Sequence, residues 1–370
     1  MITHCACLTL SGLLKRIEIE RYRSLRDVSL DLGRLTVVVG KNGSGKSNLY
    51  RALGLLQAAA DGRFGRTLLA EGGMPSALYA GDRRSTKPVR LRLAAHFDDY
   101  SYELSAGVIQ RPCATSPFKL DPEIKDECLW LRGTRRPSTT LAERGAGSAM
   151  LSGPDGEHEH VAFLLDTAES ILAQVSDPAR YPELNGIRRE LLRWRFYHQF
   201  ATEPGGAARQ PRAGIRTDAL ASDGSDLGAA IATLVERGDA GALATGLATA
   251  FPGAEFVVEN ERDGMFEACL VMPGVRRPLR AMELSDGQLR FICLATALLS
   301  SRPPTLLVRN EPETSLHPAA IEALAPLILE AARHTQVWLT THSERLRDCL
   351  AHEATVVPVS LVDGETRVFA

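Results

Sequence analysis

One short segment, GKNGSGKS, carries the residue types that bind phosphate. Its glycines and other small residues let backbone N–H groups curve around an anion. Gly40, Gly45, Lys46 and Ser47 match the pattern G-x-x-x-x-G-K-[ST]. We predict that Lys46 contacts the β- and γ-phosphates of ATP and that the Ser47 hydroxyl binds Mg²⁺. The predicted nucleotide-binding residues here are Gly40, Lys41, Asn42, Gly43, Ser44, Gly45, Lys46, Ser47 and Asn48.

A second candidate segment is LSDGQLRFICLATALLSS. Ser285 and Gln288 form an S-x-x-Q capping box ahead of an apolar helix, which leaves N–H groups and a positive dipole end beside Gly287. Such a helix end can bind an anion, although a simple helix start is the alternative. The residues of this candidate signature are Leu284, Ser285, Asp286, Gly287 and Gln288.

Two further segments place polar residues directly after hydrophobic strands. PPTLLVRNEPETSLHP predicts a strand that ends at Asn310 and Glu311, and QVWLTTHSERL predicts one that ends before His342. The carboxyl ends of parallel strands open on the crevice where a phosphate loop also lies. Glu311 can then orient or deprotonate a water, and His342 can bond to a γ-phosphate. An exposed loop acid and a loop histidine are the alternatives.

The elements that must position these residues follow from the flanking patterns. RLTVVV before the phosphate loop is strand-like and SNLYRALGLL after it is helix-like, which is the context a phosphate loop requires and an ordinary glycine-rich turn does not. Residues 13–39 alternate like antiparallel strands. We predict a surface loop over 135–159, and helices over 160–175 and from 226 to about 251.

Bulk properties narrow the class of protein. The 370 residues are 44% hydrophobic with a formal charge of −2, so no global field draws the chain to DNA or anionic lipid. Seven cysteines at irregular spacing argue against a disulfide framework. No apolar run is long enough to cross a membrane, and residues 1–12 are predicted to be a disordered leader. We therefore expect a cytoplasmic protein.

The order phosphate loop, L-S-D-G-Q, N-E-P-E, L-H-P and T-H-S resembles the nucleotide-binding heads of the ABC superfamily. RSLRDVSLDLGRLTVVVGKNGSGKSNL looks like the start of RecF/SMC-type ATPases, which are relatives of the overcoming-lysogenization nucleases. The separation of Ser47 from Leu284 is roughly twice that of transporter heads, which makes a transporter subunit a distant third reading. Too few residues follow His342 for the Toprim domain of those nucleases.

The resemblance implies a P-loop NTPase of α/β class. It would be an ABC-type two-lobed head with a mixed central sheet, an antiparallel β subdomain and a helical lid. It implies an N-terminal lobe over 13–174, the lid over 175–251 and a C-terminal lobe over 252–370.

The resemblance also assigns roles to residues. Glu311, His342 and Lys46 would be catalytic, and Ser285 would close over the nucleotide of a second copy in an ATP-bound homodimer. Gln174 would sense Mg²⁺ and γ-phosphate, with Gln110 as its competitor.

Two further positions carry expectations. Arg23 would lie near the nucleotide, although an exposed strand-end arginine is the alternative. Asn310 stands where most such heads have an Mg²⁺-binding aspartate, so we expect ATP hydrolysis that can be slow.

Two functions fit this sequence. The first is an ATPase that acts on DNA or a DNA-bound partner, in repair or in defence against mobile elements. The second is a regulatory ATPase that controls a separately encoded nuclease or other effector without touching DNA. Four basic clusters are the candidate DNA surfaces: Arg83/Arg84/Lys87/Arg90/Arg92, Arg132/Arg135/Arg136, Arg188/Arg189/Arg193/Arg195 and Arg209/Arg212/Arg216.

Overall fold

The computed structural model describes residues 12–81, 89–109, 117–145, 148–160, 165–259 and 264–369. These residues form two compact units. The first unit comprises the described residues up to Leu32, Lys41–Trp194 and those from Val359 onward; the second comprises Gly33–Gly40 and Arg195–Pro358. The boundaries of these units differ from the predicted domain boundaries at 174 and 251. The predicted division into two lobes and a lid stays a prediction. Most of the predicted leader, residues 1–11, lies outside the described residues.

The strands, numbered in chain order, are β1 (Leu14–Tyr22), β2 (Leu25–Asp31), β3 (Leu35–Val39), β4 (Leu91–Phe97), β5 (Tyr100–Val108), β6 (Pro122–Leu131), β7 (Thr140–Gly145), β8 (Ser148–Ser152), β9 (His158–His160), β10 (Arg195–Tyr197), β11 (Arg212–Ala213), β12 (Glu255–Glu259), β13 (Met265–Val271), β14 (Leu279–Arg280), β15 (Leu306–Asn310), β16 (Gln336–Thr341), β17 (Thr355–Val362) and β18 (Glu365–Val368). The helices are α1 (Lys46–Ala60), α2 (Phe64–Ala70), α3 (Met74–Ala77), α4 (Ile171–Gln174), α5 (Pro182–Leu192), α6 (Leu227–Arg237), α7 (Ala240–Ala250), α8 (Asp286–Leu298), α9 (Pro318–His334) and α10 (Glu344–Leu350). Single 3-10 turns cover Pro137–Thr139, Ala207–Arg209 and Ala281–Glu283.

An antiparallel sheet dominates the first unit, in the order β2-β1-β4-β5-β6-β7-β8-β9. Alternation drives it: in β1 the side chains of Leu14, Ile17, Ile19 and Tyr22 are buried, and charged residues between them stay at the surface. The long helix α1 packs in the same unit and buries Leu49, Leu53 and Leu56 among others. Of these elements, the sequence predicts β1, β2 and α1.

The prediction of a surface loop over 135–159 is wrong. The segment supplies β7, β8 and β9, and the inward positions of β7 are Thr140, Ala142 and Arg144. Arg144 is only 3% exposed because its guanidinium donates to the backbone oxygen of Asp166 at 2.6 Å and lies 3.9 Å from the Glu127 carboxylate. A charged residue at a buried position conceals the apolar alternation on which the prediction depends.

The helix predicted over 160–175 is also mostly wrong. Residues 161–164 lie outside the described part of the chain, and α4 begins only after Ser170. Before it, the Asp166 side chain accepts a hydrogen bond from the Ala168 amide at 2.8 Å, a local turn that competes with helix. Ser170 then caps α4 by accepting from the Leu172 amide at 3.0 Å.

A parallel sheet forms the centre of the second unit, in the order β10-β15-β16-β3-β17. Its strands are nearly continuous apolar runs, as expected where both faces are covered. Beyond Pro358, β17 continues as an antiparallel partner of β18. A smaller antiparallel sheet, β11-β13-β12 with β14 on β13, belongs to the same unit as α6 to α10. Trp338, Phe291 and Phe200 are fully buried there.

No helix of the described residues is both long enough and apolar enough to span a bilayer.

Candidate nucleotide-binding site

The phosphate loop follows β3 and ends where α1 begins. Gly43 and Gly45 adopt positive φ values of 80° and 98°, which turn successive N–H groups toward one side. Lys46 is buried, and its Nζ donates to the backbone oxygen of Lys41 at 3.2 Å. Within the described part of the chain no side chain caps the start of α1, and Ser47 in its first turn is exposed. An uncapped helix N-terminus offers its N–H groups and positive dipole end to an anion such as phosphate.

The loop also contains an orphaned polar atom. Ser44 is 4% exposed, and its Oγ has no hydrogen-bond partner among the described residues. Buried hydroxyls are normally paired, because an unpaired one costs about 1–3 kcal/mol. A Cβ placed on the neighbouring Gly43 would meet nothing within 4 Å, so the space beside the loop is open. These residues therefore fit a bound phosphate.

The second unit brings the predicted catalytic side chains to one sheet edge. Adjacent parallel strands pair Asn310 with Thr340 and Thr341 with Val39, so β15, β16 and β3 end at the same level. Gly40 follows β3, and its amide donates to the Thr341 oxygen at 3.3 Å. Glu311 and His342 follow the other two strands.

Glu311 sits in a strained backbone conformation. Its φ is 45°, in the left-handed region that side chains other than glycine rarely adopt, and Pro312 follows it. The conformation is held because the Glu311 amide donates to the Thr340 oxygen at 2.9 Å and lies 3.2 Å from the Thr340 hydroxyl. That hydroxyl donates to Oδ1 of Asn310 at 2.7 Å. Strain of this kind at a strand end favours a functional role for Glu311.

Glu313 is a member of the site that sequence reasoning missed. Its side chain is buried, and Oε1 accepts from the Thr341 hydroxyl at 2.5 Å and from the amides of His342 and Ser343 at 3.0 and 3.2 Å. The His342 Nδ1 lies 3.3 Å from this same oxygen and 3.5 Å from Oε1 of Glu311. Glu313 thus fixes the turn that carries His342. The acid two residues after Glu311 was visible in N-E-P-E, but nothing local marks it as buried.

The candidate signature begins α8 with the predicted capping box. Ser285 Oγ accepts from the Gln288 amide at 3.2 Å, and Gln288 Oε1 accepts from the Ser285 amide at 3.0 Å. Ser285 remains exposed. A Cβ on Gly287 would lie 2.8 Å from the backbone oxygen of Ser315, so glycine is required where the helix start meets the loop after Glu313.

Arg209 holds the backbone that leads into this helix. It is 8% exposed and donates to the backbone oxygens of Thr202 at 2.6 Å, Ala281 at 3.1 Å and Leu284 at 2.7 Å. The buried Thr202 hydroxyl donates to Asp286 at 2.5 Å. Because Arg209 faces inward, the prediction that places it on a DNA-binding surface is wrong.

Residues 35–348, most of the chain, match a protein family described as “AAA domain, putative AbiEii toxin, Type IV TA system”. The chain belongs to this family. The matched residues include the phosphate loop, the signature and both strand ends.

Two curated relatives match over short segments. The OLD nuclease of Thermus scotoductus is 46% identical over 44 residues, which are 12% of this chain and 8% of that protein. The phosphonates import ATP-binding protein PhnC 1 of Natronomonas pharaonis is 51% identical over 57 residues, 15% of this chain and 24% of that protein. The chain thus spans less than a quarter of either relative.

Two solved structures with a similar fold are SMC heads. A crystal structure of an Smc head bound to the C-winged helix domain of ScpA covers 96% of this chain and 97% of its own, with a TM-score of 0.53 and 15% identity. An Smc head with a coiled coil and joint from Pyrococcus yayanosii covers 97% of each chain, with a TM-score of 0.50 and 13% identity. The likeness shows the fold. The predicted fold class and the resemblance to RecF/SMC-type ATPases related to the OLD nucleases are confirmed.

In this family member, Arg23 is engaged by an acid. Its φ is 51°, and its guanidinium donates to Glu71 Oε2 from Nε at 3.1 Å and from the terminal nitrogen at 3.0 Å. Tyr22 donates to the same oxygen at 2.7 Å. Burial, reinforced by the Glu71 charge, raises the pKa of Tyr22 far above its ordinary value, so Tyr22 stays a neutral donor. A nucleotide role for Arg23 stays a prediction.

Gln174 uses its side-chain amide to close a loop. Oε1 accepts from the Asp166 amide at 2.7 Å, and Nε2 donates to the backbone oxygens of Asp166 at 3.1 Å and Glu169 at 2.7 Å. Its proposed role as an Mg²⁺ sensor stays a prediction, and it would require these bonds to be released. The competing Gln110 lies outside the described residues.

Several arginines of the candidate DNA clusters are already paired. Arg92 donates to Glu18 at 3.0 Å and to Glu20 and Glu103 at 2.7 Å. Further ion pairs join Arg90 to Asp126, Arg135 to Glu143 and Arg216 to Glu236. Arg83, Arg84 and Lys87 lie outside the described residues. Paired arginines have less charge to offer a phosphate backbone.

Proposed function

We propose that this chain binds ATP with Mg²⁺ and hydrolyses it in a site completed by a second copy. The observation that carries the proposal is the meeting of Gly40, Glu311 and His342 at the carboxyl ends of three adjacent parallel strands. In open α/β sheets ligands bind at this edge.

Each residue has a distinct task in the proposal. Lys46 binds the β- and γ-phosphates, Ser44 donates its orphaned hydroxyl to them, and Ser47 contributes a hydroxyl to Mg²⁺, which supplies positive charge to the transferring group. Glu311 orients the attacking water, and His342 bonds to the γ-phosphate. Because Asn310 brings no charge to the ion, turnover is slow.

The shared site assigns the exposed Ser285 end of α8 to the nucleotide of the partner. Mixing tests this. Lys46→Ala chains lack a working phosphate loop, and Ser285→Arg chains bind ATP but block closure. A mixture contains one composite site with an intact loop and an intact signature.

The expected result is that each variant alone is inactive and that the mixture regains ATP hydrolysis. Glu311→Gln added to both chains is the matched control, since it keeps the size of every side chain and removes the base. Undiminished binding of a fluorescent ATP analogue by Lys46→Ala would overturn the phosphate-loop assignment. Wild-type turnover by Ser285→Arg would reduce the signature to a helix cap.

Two functions are proposed for the ATPase. In the first it acts on DNA or a DNA-bound protein, and in the second it regulates a separately encoded effector. The internal pairing of Arg92, Arg135 and Arg216 favours the regulator. Measuring the rate of ATP hydrolysis with and without duplex DNA, at several salt concentrations, distinguishes the two functions. Stimulation that falls steeply with salt supports DNA contact, and a rate indifferent to DNA supports the regulator.

A further inference from the structure

A threonine far along the chain lies directly against the phosphate loop. A Cβ built on Gly45 would stand 1.9 Å from the Thr366 Oγ1, 2.8 Å from its Cγ2 and 2.9 Å from its Cβ. Thr366 is on β18, is 1% exposed and belongs to the same compact unit as residues 41–48. Its side chain therefore occupies the space in which any residue larger than glycine would place its own.

The same hydroxyl continues into a short hydrogen-bonded chain. Thr366 Oγ1 lies 2.7 Å from the Ser24 Oγ, and that Oγ accepts from the Asn48 side-chain amide at 2.8 Å. The Thr366 amide also donates to the Ser24 backbone oxygen at 2.8 Å. Gly45 precedes Lys46 and Ser47 in the sequence, and Asn48 follows them. This chain of contacts therefore fixes the backbone on both sides of Lys46 and Ser47.

We propose that Thr366 and Ser24 are positioning residues for nucleotide binding, which together brace the phosphate loop. The proposal rests on the proposed function, and it concerns residues outside the matched 35–348. Thr366 touches no phosphate. It holds Lys46 and Ser47 in the positions from which they can contact the nucleotide. It does so by filling the space at Gly45 and by connecting to Asn48 through the hydrogen bonds of Ser24.

Two substitutions separate the shape of Thr366 from its hydroxyl. Thr366→Val keeps the branched shape and removes the hydrogen bond to Ser24, whereas Thr366→Ser keeps the hydroxyl. One net hydrogen bond corresponds to about a fivefold change in an equilibrium constant. We expect Thr366→Val to raise the Kd of a fluorescent ATP analogue about fivefold, and Thr366→Ser to restore most of the loss.

The matched control is Thr140→Val. Thr140 is a 5% exposed strand threonine of the same unit, and its hydroxyl donates to the Arg136 backbone oxygen at 2.9 Å, away from the loop. It loses the same kind of bond, so it reports the general cost to stability without disturbing nucleotide binding.

Steady-state kinetics distinguishes positioning of the nucleotide-binding residues from a general effect on stability. Because Lys46 and Ser47 both bind the nucleotide and act in hydrolysis in the proposal, Thr366→Val should raise KM and lower kcat, whereas Thr140→Val should change neither. Ser24→Ala should have the same effect, and the double variant should lose less than the product of the two, because both break one chain of contacts.

A Kd for Thr366→Val within twofold of wild type overturns the proposal, as does an equal loss in Thr140→Val. Lys46→Ala in the same assay keeps the outcomes distinct. If Lys46→Ala abolishes binding and Thr366→Val does not weaken it, the brace fails and the phosphate-loop assignment stands. If Lys46→Ala binds normally, the proposed function itself fails.

Discussion

Glu313 offers the sharpest test of the strand-end site, because one buried oxygen serves three donors. Replacing Glu313 with alanine leaves the Thr341 hydroxyl, which is fully buried, and the His342 amide without their acceptor, whereas the Ser343 amide keeps its hydrogen bond to the Thr341 hydroxyl oxygen at 2.9 Å. An unpaired buried donor costs about 1–3 kcal/mol, and a half-buried amide about 1 kcal/mol. The expected loss of unfolding free energy is therefore about 2–4 kcal/mol.

Glu313→Gln is the matched variant, since its amide oxygen can still accept from the Thr341 hydroxyl and from the amides of His342 and Ser343. We expect it to lose about 1 kcal/mol, because the new NH₂ group takes the place of Oε2, which is buried and has no partner among the described residues. Calorimetric unfolding measures the difference. For a unit of this size the alanine variant should melt on the order of 10 °C lower than wild type.

Turnover distinguishes orientation from stability. Below its melting temperature, Glu313→Ala should hydrolyse ATP more slowly than Glu313→Gln, because only the glutamine still holds the turn that carries His342. An alanine variant that melts within about 1 °C of wild type and turns over ATP normally would refute this account of Glu313.

Three further substitutions each test one residue near the candidate site. Gly45→Ala should abolish binding of a fluorescent ATP analogue, because the methyl group meets the Thr366 hydroxyl and the φ of 98° disfavours any side chain. Arg209→Met should lower the unfolding free energy by about 3 kcal/mol, since three carbonyls lose their donor, and should impair turnover while ATP binding by the single chain persists. Ser44→Ala should leave the calorimetric stability of the nucleotide-free protein unchanged or slightly raised and should weaken ATP binding, because its hydroxyl has no partner among the described residues.

Those parts of the site that depend on neighbouring residues are predictable from sequence. The phosphate loop needs a fixed spacing of glycines between a strand and a helix, and the capping box of Ser285 and Gln288 needs four consecutive residues. The common edge of Gly40, Glu311 and His342 follows from a rule about parallel strands. The phosphate loop and the capping box can each be read within one window of sequence, and the common edge needs only the strand that precedes each of its three residues.

Contacts between distant segments leave no such local signature. Thr366 meets Gly45 across most of the chain, and Arg209 meets Leu284 through backbone oxygens that any residue would present. Arg144 occupies a buried strand position because Glu127 and the Asp166 oxygen lie beside it. Its charge interrupts the apolar alternation, so the sequence pattern of β7 is typical of a loop. In each case the decisive partner is supplied by the fold.

Arg309 shows what such a partner accomplishes. In the sequence it interrupts an apolar strand; in the structure its guanidinium donates to the backbone oxygens of Tyr197 at 2.8 Å and His198 at 3.0 Å and lies 5.1 Å from the centre of the Phe200 ring. The chain then runs from Phe200 to Thr202, whose hydroxyl binds Asp286 of the signature. The strand that carries Glu311 and the helix that carries the signature are therefore tied to one intervening segment within one unit.

This connection bears on the shared site. In the proposed symmetric dimer each chain would offer its candidate signature to the partner while its own Glu311 would serve its own nucleotide, and both halves would have to fit at once. Two half-sites that moved independently would have to be ordered separately each time the dimer closed, at an entropic cost for each. Because a continuous run of contacts from Arg309 to Asp286 links the two half-sites, we expect the proposed closure to order both together, and a substitution at either end to weaken the other.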